Sequence, residues 1–266
     1  MSFSPILPFS GYTGWTFLKR TMPAQKQAFE AAPGLARDED YFRANIGKVK
    51  TAEDLVSDRR LLKVALGAYG LDADIDNRFF IKKVLQDGTL DKSALSNKLA
   101  DKQYQAFSSA FGFGDYAVPR TQLSDFADKT LEAYRARQFE AAVGVQSDDM
   151  RLALNVEREL GALAARNTSE DTKWFTIMGN SPMRQVFQKA LGLPNSFASL
   201  DLDQQLSTFK EKAERTFGST DIAQFSDPKK VEALVRRFLV RSEATASFSS
   251  TASGAVALTI LQGMRR

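Results

Sequence analysis

Apolar residues recur along this chain at intervals of three and four residues, which is the spacing of one face of an α-helix. The pattern is clear after Ser226-Asp227-Pro228, where a helix start is followed by Val231, Leu234, Val235, Phe238 and Leu239. Strand-like alternation between turn residues is scarce. The sequence therefore predicts an all-α, multi-helix protein in which most of the twenty Phe residues pack into the core.

Capping residues and glycines suggest where the longer helices begin and end. Thr51 has the side chain of a helix cap, and acidic residues follow it in the first turn. Ser147 precedes two aspartates in the same way. The resulting predictions are single helices over residues 51–70, 76–86, 121–143 and 147–165, with a late helix from Pro228.

The segment 59–67 resembles the segment 184–192. Matching residues are 125 positions apart, as Arg59 is from Arg184 and Gly67 is from Gly192. Both end in Ala-Leu-Gly, and a looser similarity links Phe111 with Phe217, each of which precedes a glycine. An internal repeat of this kind predicts two related helical units that cover their apolar faces by packing. Chance similarity between amphipathic helices is the alternative.

This pattern divides the sequence into four parts. Residues 1–50 form an N-terminal segment with short helices, residues 51–145 the first predicted unit, and residues 146–241 the second. Residues 242–266 form a tail that is rich in Ser, Thr and Ala before it becomes weakly apolar. This composition predicts a mobile C-terminal tail.

The chain contains no histidine and no cysteine. Histidine is the usual general base near neutral pH and the commonest transition-metal ligand, and cysteine supplies thiolate nucleophiles and zinc ligands. Ser-His-Asp and Cys-His catalysis are therefore excluded. We predict no catalytic residues, no metal ligands and no cofactor, and hence a protein that is not an enzyme.

Three alternating carboxylates, Asp72, Asp74 and Asp76, resemble the opening of a calcium-binding loop. The position that requires glycine in such a loop holds Asn77, and the position that requires glutamate holds Lys83. We interpret the segment as an acidic helix start. An enzyme that uses these carboxylates to hold a metal stays open as a less favoured alternative.

Two apolar segments are candidates for binding a protein partner. An aromatic pair near the end of a short helix suits a protein interface, although internal packing is the alternative. An apolar stretch in the tail suits docking, either on the chain itself or on a partner. The candidate partner-binding residues are Trp174, Phe175 and Met178 in the first segment, and Leu258, Ile260 and Leu261 in the second.

Charge and hydropathy limit the remaining classes of partner. Lys and Arg total 36 against 32 Asp and Glu, and the two signs alternate, as in residues 210–215. This favours a solvated surface and predicts no nucleic-acid binding. No apolar run is long enough to span a bilayer, and the N-terminus lacks the features of a cleaved signal peptide, so we predict no membrane insertion and no cleaved signal peptide.

Several blocks of the sequence carry a family resemblance: residues 41–46, 60–71, 174–182, 187–194 and 201–205. They resemble an uncharacterised alphaproteobacterial family, a domain of unknown function encoded in flagellar gene clusters, some members of which are labelled flagellar basal-body rod proteins. The resemblance covers most of the chain. It implies a helical, non-enzymatic protein linked to the flagellum or its assembly, and it brings no catalytic residues.

Together these observations predict a helical interaction protein, an accessory or structural component associated with the flagellum. Its partner would be a protein, in particular a flagellar component, and its location would be the cytoplasm or the flagellum. The alternative is an assembly chaperone that holds an amphipathic helix of an exported flagellar subunit. The sequence leaves the oligomeric state open.

Overall fold

The computed structural model describes the backbone of residues 3–263 and the side chains of residues 3–246. Within that range the chain forms thirteen α-helices joined by short turns, and no strand, which confirms the all-α prediction. The helices are α1 (Gly11–Glu30), α2 (Pro33–Asn45), α3 (Ala52–Ser57), α4 (Arg59–Tyr69), α5 (Arg78–Asp87), α6 (Leu95–Lys98), α7 (Gln103–Phe111), α8 (Phe126–Gly144), α9 (Asp148–Ala164), α10 (Glu170–Gly179), α11 (Ser181–Ala190), α12 (Leu202–Phe217) and α13 (Pro228–Gly263).

The chain folds into two compact units, each assembled from segments that are distant in sequence. Unit 1 contains Arg20–Gln146 and Met178–Ser181, together with the start of the chain up to Ile6. Unit 2 contains Leu7–Lys19 and Ser147–Ile177, together with the chain from Pro182 onward. The four-part division drawn from the sequence stays a prediction.

Helix α4 lies in the core of unit 1, and its start differs from the prediction. Residues 51–70 were predicted as one helix, but a capping box at Thr51 and Asp54 begins the separate helix α3. Asp58 then has an extended backbone, and its carboxylate accepts hydrogen bonds from the N–H groups of Arg60 and Leu61 at 2.9 and 3.1 Å. The single-helix prediction was wrong because an aspartate inside the segment caps a new helix.

Two apolar side chains within the predicted helices 76–86 and 121–143 are exposed. Phe79 is 84% exposed at the start of α5, and Leu123 is 55% exposed. Leu123 precedes α8, because residues 120–122 form a 3₁₀ turn and α8 begins at Phe126 instead of residue 121. Spacing alone therefore misassigned residues that lie at helix ends, where the chain leaves the regular period.

Helices α4 and α11 end with the same hydrogen bonds. Gly70 and Gly192 follow them in the left-handed conformation, with φ of +73° and +70°. Each glycine N–H donates to the carbonyl three residues earlier, at 3.4 and 3.0 Å, and the next N–H donates to the carbonyl five residues earlier, at 3.0 and 2.9 Å. This arrangement satisfies carbonyls at a helix end and favours glycine.

The two helix ends lie 122 positions apart, from Gly70 to Gly192. The buried side chains keep the same separation: Leu61, Val64, Ala65 and Ala68 in α4, and Met183, Val186, Phe187 and Ala190 in α11. Gly67, which the sequence comparison paired with Gly192, lies inside α4 against the Tyr134 ring. Gly67 and Gly192 therefore do not occupy equivalent positions at helix ends. The internal repeat itself stays a prediction.

An aromatic cluster fills the core of unit 2. Phe187 of α11 contacts the rings of Trp174 and Phe225, with centroids 5.6 and 5.5 Å apart. Phe209 of α12 stacks on Trp174, with centroids 5.6 Å apart and an interplanar angle of 21°. Such pairs stabilise a core beyond the area they bury.

Candidate functional site

The first predicted partner-binding segment is largely internal. Trp174 is fully buried in unit 2, and its indole N–H donates a hydrogen bond to the Thr220 carbonyl at 2.9 Å. Met178, near the end of α10, is also buried. Phe175 is 38% exposed. Of these three residues, Phe175 therefore offers the most surface to a partner.

The second predicted segment lies in the last part of α13. The helix is 36 residues long, and Leu234, Phe238 and Ser242 are among its side chains buried in unit 2. Residues 243–246 are exposed, and the helical backbone continues to Gly263. The backbone at Leu258, Ile260 and Leu261 is thus helical, while their side chains lie outside the described residues.

The three alternating aspartates of unit 1 bind three different protein groups. Asp72 accepts a hydrogen bond from the Gln138 amide at 2.9 Å, Asp74 accepts one from the Tyr104 hydroxyl at 2.6 Å, and Asp76 pairs with Arg59 at 2.6 Å. Burial and the hydrogen bond to Asp74 raise the pKa of Tyr104. Across the described part of the chain, no three acidic residues are grouped closely enough to hold a metal ion.

A cleft of about 480 Å³ in unit 1 carries charges that are already paired. Lys63 forms an ion pair with Asp38 at 2.7 Å, and Arg59 forms the pair with Asp76. The Arg60 guanidinium stacks on the Tyr41 ring, 3.9 Å from its centroid. The contacts of Lys63 and Arg60 join α4 to α2, and the three contacts together leave little charge for a ligand.

A larger cleft, of about 670 Å³, lies within unit 2. We call it the cationic cleft. It is bounded by the start of α1, the end of α12 and the first four turns of α13, and its lining includes four basic side chains: Lys229, Arg236, Arg237 and Arg241. All four are exposed. Glu232 is the acidic residue in the lining.

The carboxylate of Glu232 is occupied by contacts within unit 2. It accepts hydrogen bonds from the Tyr12 hydroxyl at 3.0 Å and from the Trp15 indole N–H at 3.4 Å. Burial, followed by the hydrogen bond to Glu232, raises the pKa of Tyr12. Arg236 lies over the Tyr12 ring, 5.3 Å from its centroid, and the Arg237 Nε donates to the Ala190 carbonyl at 2.8 Å.

The sequence patterns did not predict this cleft. The feature of the sequence that could have indicated the cleft is the basic pair Arg236-Arg237, followed one turn later by Arg241. These arginines lie away from the core-facing side of α13. The net charge of the whole chain does not reveal this cluster, because it also counts acidic residues that lie elsewhere. None of the described helices has the length and apolar character needed to cross a membrane.

Comparisons with known proteins give a family and a structural neighbour. The family described as "Protein of unknown function (DUF1217)" matches residues 68–231. The crystal structure of protein AGR_C_984 from Agrobacterium tumefaciens, an alphaproteobacterium, is similar to this chain with a TM-score of 0.73 and 25% identity. The match covers 90% of this chain and 98% of that protein. No curated protein sequence matches the chain.

Proposed function

The chain belongs to the DUF1217 family of proteins of unknown function, and we propose that it is a non-enzymatic helical interaction protein, an accessory or structural component associated with the flagellum. The resemblance of its sequence blocks to a family encoded in flagellar gene clusters supports the flagellar assignment. The lack of histidine and cysteine supports a role in binding, because it removes the commonest catalytic designs.

The observation that carries this proposal is the course of helix α13. A helix of 36 residues is about 54 Å long. One face of the helix is buried in unit 2 as far as Ser242, and residues 243–246 are all exposed. The sequence turns apolar again at 255–261. An apolar helical segment of this kind suits docking into the groove of another protein. We therefore assign partner binding to Leu258, Ile260 and Leu261.

The test combines capture of partners with substitution of this segment. A tagged copy of the full chain, expressed in the organism that encodes it, is expected to co-purify with flagellar components. Replacing Leu258, Ile260 and Leu261 with Asp is expected to abolish that capture, because three charges enter an apolar contact.

A matched control makes the same three changes on other exposed apolar residues. Phe79, Leu90 and Val145 are 84%, 69% and 88% exposed in unit 1, so Asp at these positions adds the same charge without touching α13. This control is expected to retain the partners. If no flagellar protein co-purifies with the native chain and motility is normal after deletion of the gene, the flagellar assignment is wrong.

An assembly chaperone for an exported flagellar subunit is the second candidate. The same segment of α13 would then hold an unassembled rod, hook or filament subunit. A built-in component is expected to sediment with purified basal bodies, whereas a chaperone is expected to stay in the supernatant with its subunit. Localising a tagged copy relative to the flagellar base separates the two roles in the cell.

A carboxylate-dependent metal enzyme is the least favoured candidate. Its ligands would be Asp72, Asp74 and Asp76, which now bind Gln138, Tyr104 and Arg59. A metal would have to displace all three contacts. Calorimetry with Mg²⁺ and Ca²⁺ is expected to show no binding heat, and a measured affinity that is lost on Asp74→Asn would revive this candidate.

A further inference from the structure

We propose that the cationic cleft of unit 2 is a docking site for an acidic segment of a partner protein. The proposal does not depend on a flagellar role, and it concerns a different surface from the last part of α13. It rests on the charge, the exposure and the apolar lining of the cleft.

The lining of the cleft carries more positive than negative charge. Its lining holds four basic side chains and one acidic side chain, Glu232, whose two oxygens accept hydrogen bonds from Tyr12 and Trp15. Within the described residues, Lys229, Arg236 and Arg241 form no ion pair with a carboxylate. Lys63 and Arg59 of unit 1, by contrast, each pair with an aspartate. The cleft therefore attracts an anionic partner.

The arrangement of these charges fits an extended or helical segment of protein. Lys229 and Arg241 are twelve positions apart on one helix, a distance of about 18 Å. Between them lie the exposed Ala233 and Val240, and Val240 is 50% exposed. A segment that places carboxylates at both ends and an apolar side chain between them would match this order of charge and apolar surface.

A small anion and a nucleic acid fit the cleft less well. A dedicated anion site either buries its cations or uses the N–H groups of a helix start. The basic side chains that line the cleft are exposed, and Arg236 to Arg241 lie beyond the second turn of α13, away from the N–H groups of its start. A nucleic-acid site gathers a long basic stripe, whereas acids and bases alternate along the neighbouring helix α12. An acidic protein segment is the occupant that uses both the charge and the apolar lining.

The test measures binding of the full chain to a defined probe by fluorescence anisotropy. The probe is a fluorescein-labelled peptide of about twelve residues, long enough to span about 18 Å as a helix, with Glu and Leu at helical spacing. A second peptide has Gln in place of every Glu. A short DNA duplex of equal charge serves as the nucleic-acid probe, and inorganic phosphate is added as a competitor.

The cleft variant is Arg236→Gln with Arg241→Gln. Its matched control is Arg166→Gln with Arg215→Gln, which removes the same charge from exposed positions of unit 2 outside the cleft lining. A third variant, Val240→Ser, removes apolar surface without changing charge. Circular dichroism and tryptophan fluorescence of each variant establish that unit 2 remains folded.

We expect the Glu peptide to bind the native chain and the control variant equally, and the cleft variant about tenfold more weakly. Val240→Ser is expected to weaken binding about threefold. Affinity for the Glu peptide is expected to fall as salt is added, because exposed charges are screened. The Gln peptide is expected to bind at least tenfold more weakly than the Glu peptide.

Four results would overturn the proposal. The first is equal binding of the Glu peptide by the cleft variant and its control, and the second is tighter binding of the DNA duplex than of the Glu peptide. The third is full competition by inorganic phosphate at low millimolar concentration, which would assign the cleft to a small anion. The fourth is self-association of the native chain that the cleft substitutions abolish, which would make a second copy the occupant.

Discussion

Replacing Trp174 with alanine separates the two roles that the sequence allows for this residue. If Trp174 is a core residue, the substitution destabilises unit 2. If it is an interface residue, the substitution leaves stability nearly unchanged and removes binding. The structure favours the first role, because the side chain is fully buried between the rings of Phe187 and Phe209.

The size of the effect follows from what the indole contacts. Truncating a fully buried Trp to Ala costs about 3 to 5 kcal/mol through lost burial and the cavity that remains. The indole N–H also donates to the Thr220 carbonyl at 2.9 Å, and losing that donor costs about 1 kcal/mol more where water cannot replace it. We expect Trp174→Ala to lower the free energy of unfolding of unit 2 by about 4 to 6 kcal/mol.

The matched control is Phe175→Ala, one residue along the same helix. Phe175 is 38% exposed, so its truncation is expected to cost about 1 to 2 kcal/mol. Urea denaturation followed by tryptophan fluorescence reports on unit 2, because Trp15 and Trp174 both belong to it. With an m-value of about 2 kcal/mol/M, Trp174→Ala is expected to lower the urea midpoint by about 2 to 3 M.

Trp15 remains as the reporter in the Trp174→Ala variant, and it is fully buried in the native chain. Circular dichroism follows the helices of both units and so detects loss of unit 2 alone as a partial transition. Equal urea midpoints for Trp174→Ala and Phe175→Ala would refute the assignment of Trp174 to the core of unit 2. Loss of a partner with no change in the midpoint would identify Trp174 as an interface residue instead.

Three further predictions concern single residues. Gly114→Ala is expected to lower the free energy of unfolding by about 3 kcal/mol in thermal or urea unfolding, because the new Cβ would lie 2.3 Å from a backbone oxygen. Gly70→Ala is expected to lower it by only about 1 to 2 kcal/mol, through the positive φ of Gly70, because the side chain that the new Cβ meets can move. Burial raises the pKa of Glu170, but hydrogen bonds from Lys173 and two backbone N–H groups outweigh burial and lower that pKa. Its stabilisation is present above the unfolded pKa and is lost as the pH falls through the folded pKa. Glu170→Gln is therefore expected to cost about 2 kcal/mol at pH 7 and much less once the pH is below the folded pKa, as urea titrations at neutral and acidic pH will measure. Burial raises the pKa of Tyr69 to about 12, so stability is lost as the pH rises from 10 through 12, and Tyr69→Phe is expected to make that loss shallower in alkaline unfolding.

Local rules predicted the helices wherever a cap and a regular apolar stripe agreed. Ser147 caps α9 as expected, with its Oγ accepting the Met150 N–H at 3.3 Å, and α13 begins at Pro228 as expected. The same rules failed at Asp58, because spacing continued through a residue whose side chain starts a new helix. A local signal is reliable when no second local signal competes with it.

The candidate sites were harder to predict because exposure depends on contacts distant in sequence. Spacing placed Trp174 and Phe175 together as an aromatic pair, yet only the packing of α11 and α12 buries the first and leaves the second partly exposed. The cationic cleft needs the start of α1, near Tyr12, beside α13. These segments are more than two hundred positions apart, so no window of sequence contains both.

The sequence by itself determined the all-α class, the starts of α9 and α13, and the absence of histidine and cysteine chemistry. These properties follow from residue types and from the short-range period of a helix. Tertiary structure decided which apolar residues are buried, where Gly70 and Gly192 end their helices, and which basic side chains share a cleft. The physical reason is that burial and charge pairing are set by neighbours in space, and α1 and α13 become neighbours only when unit 2 folds.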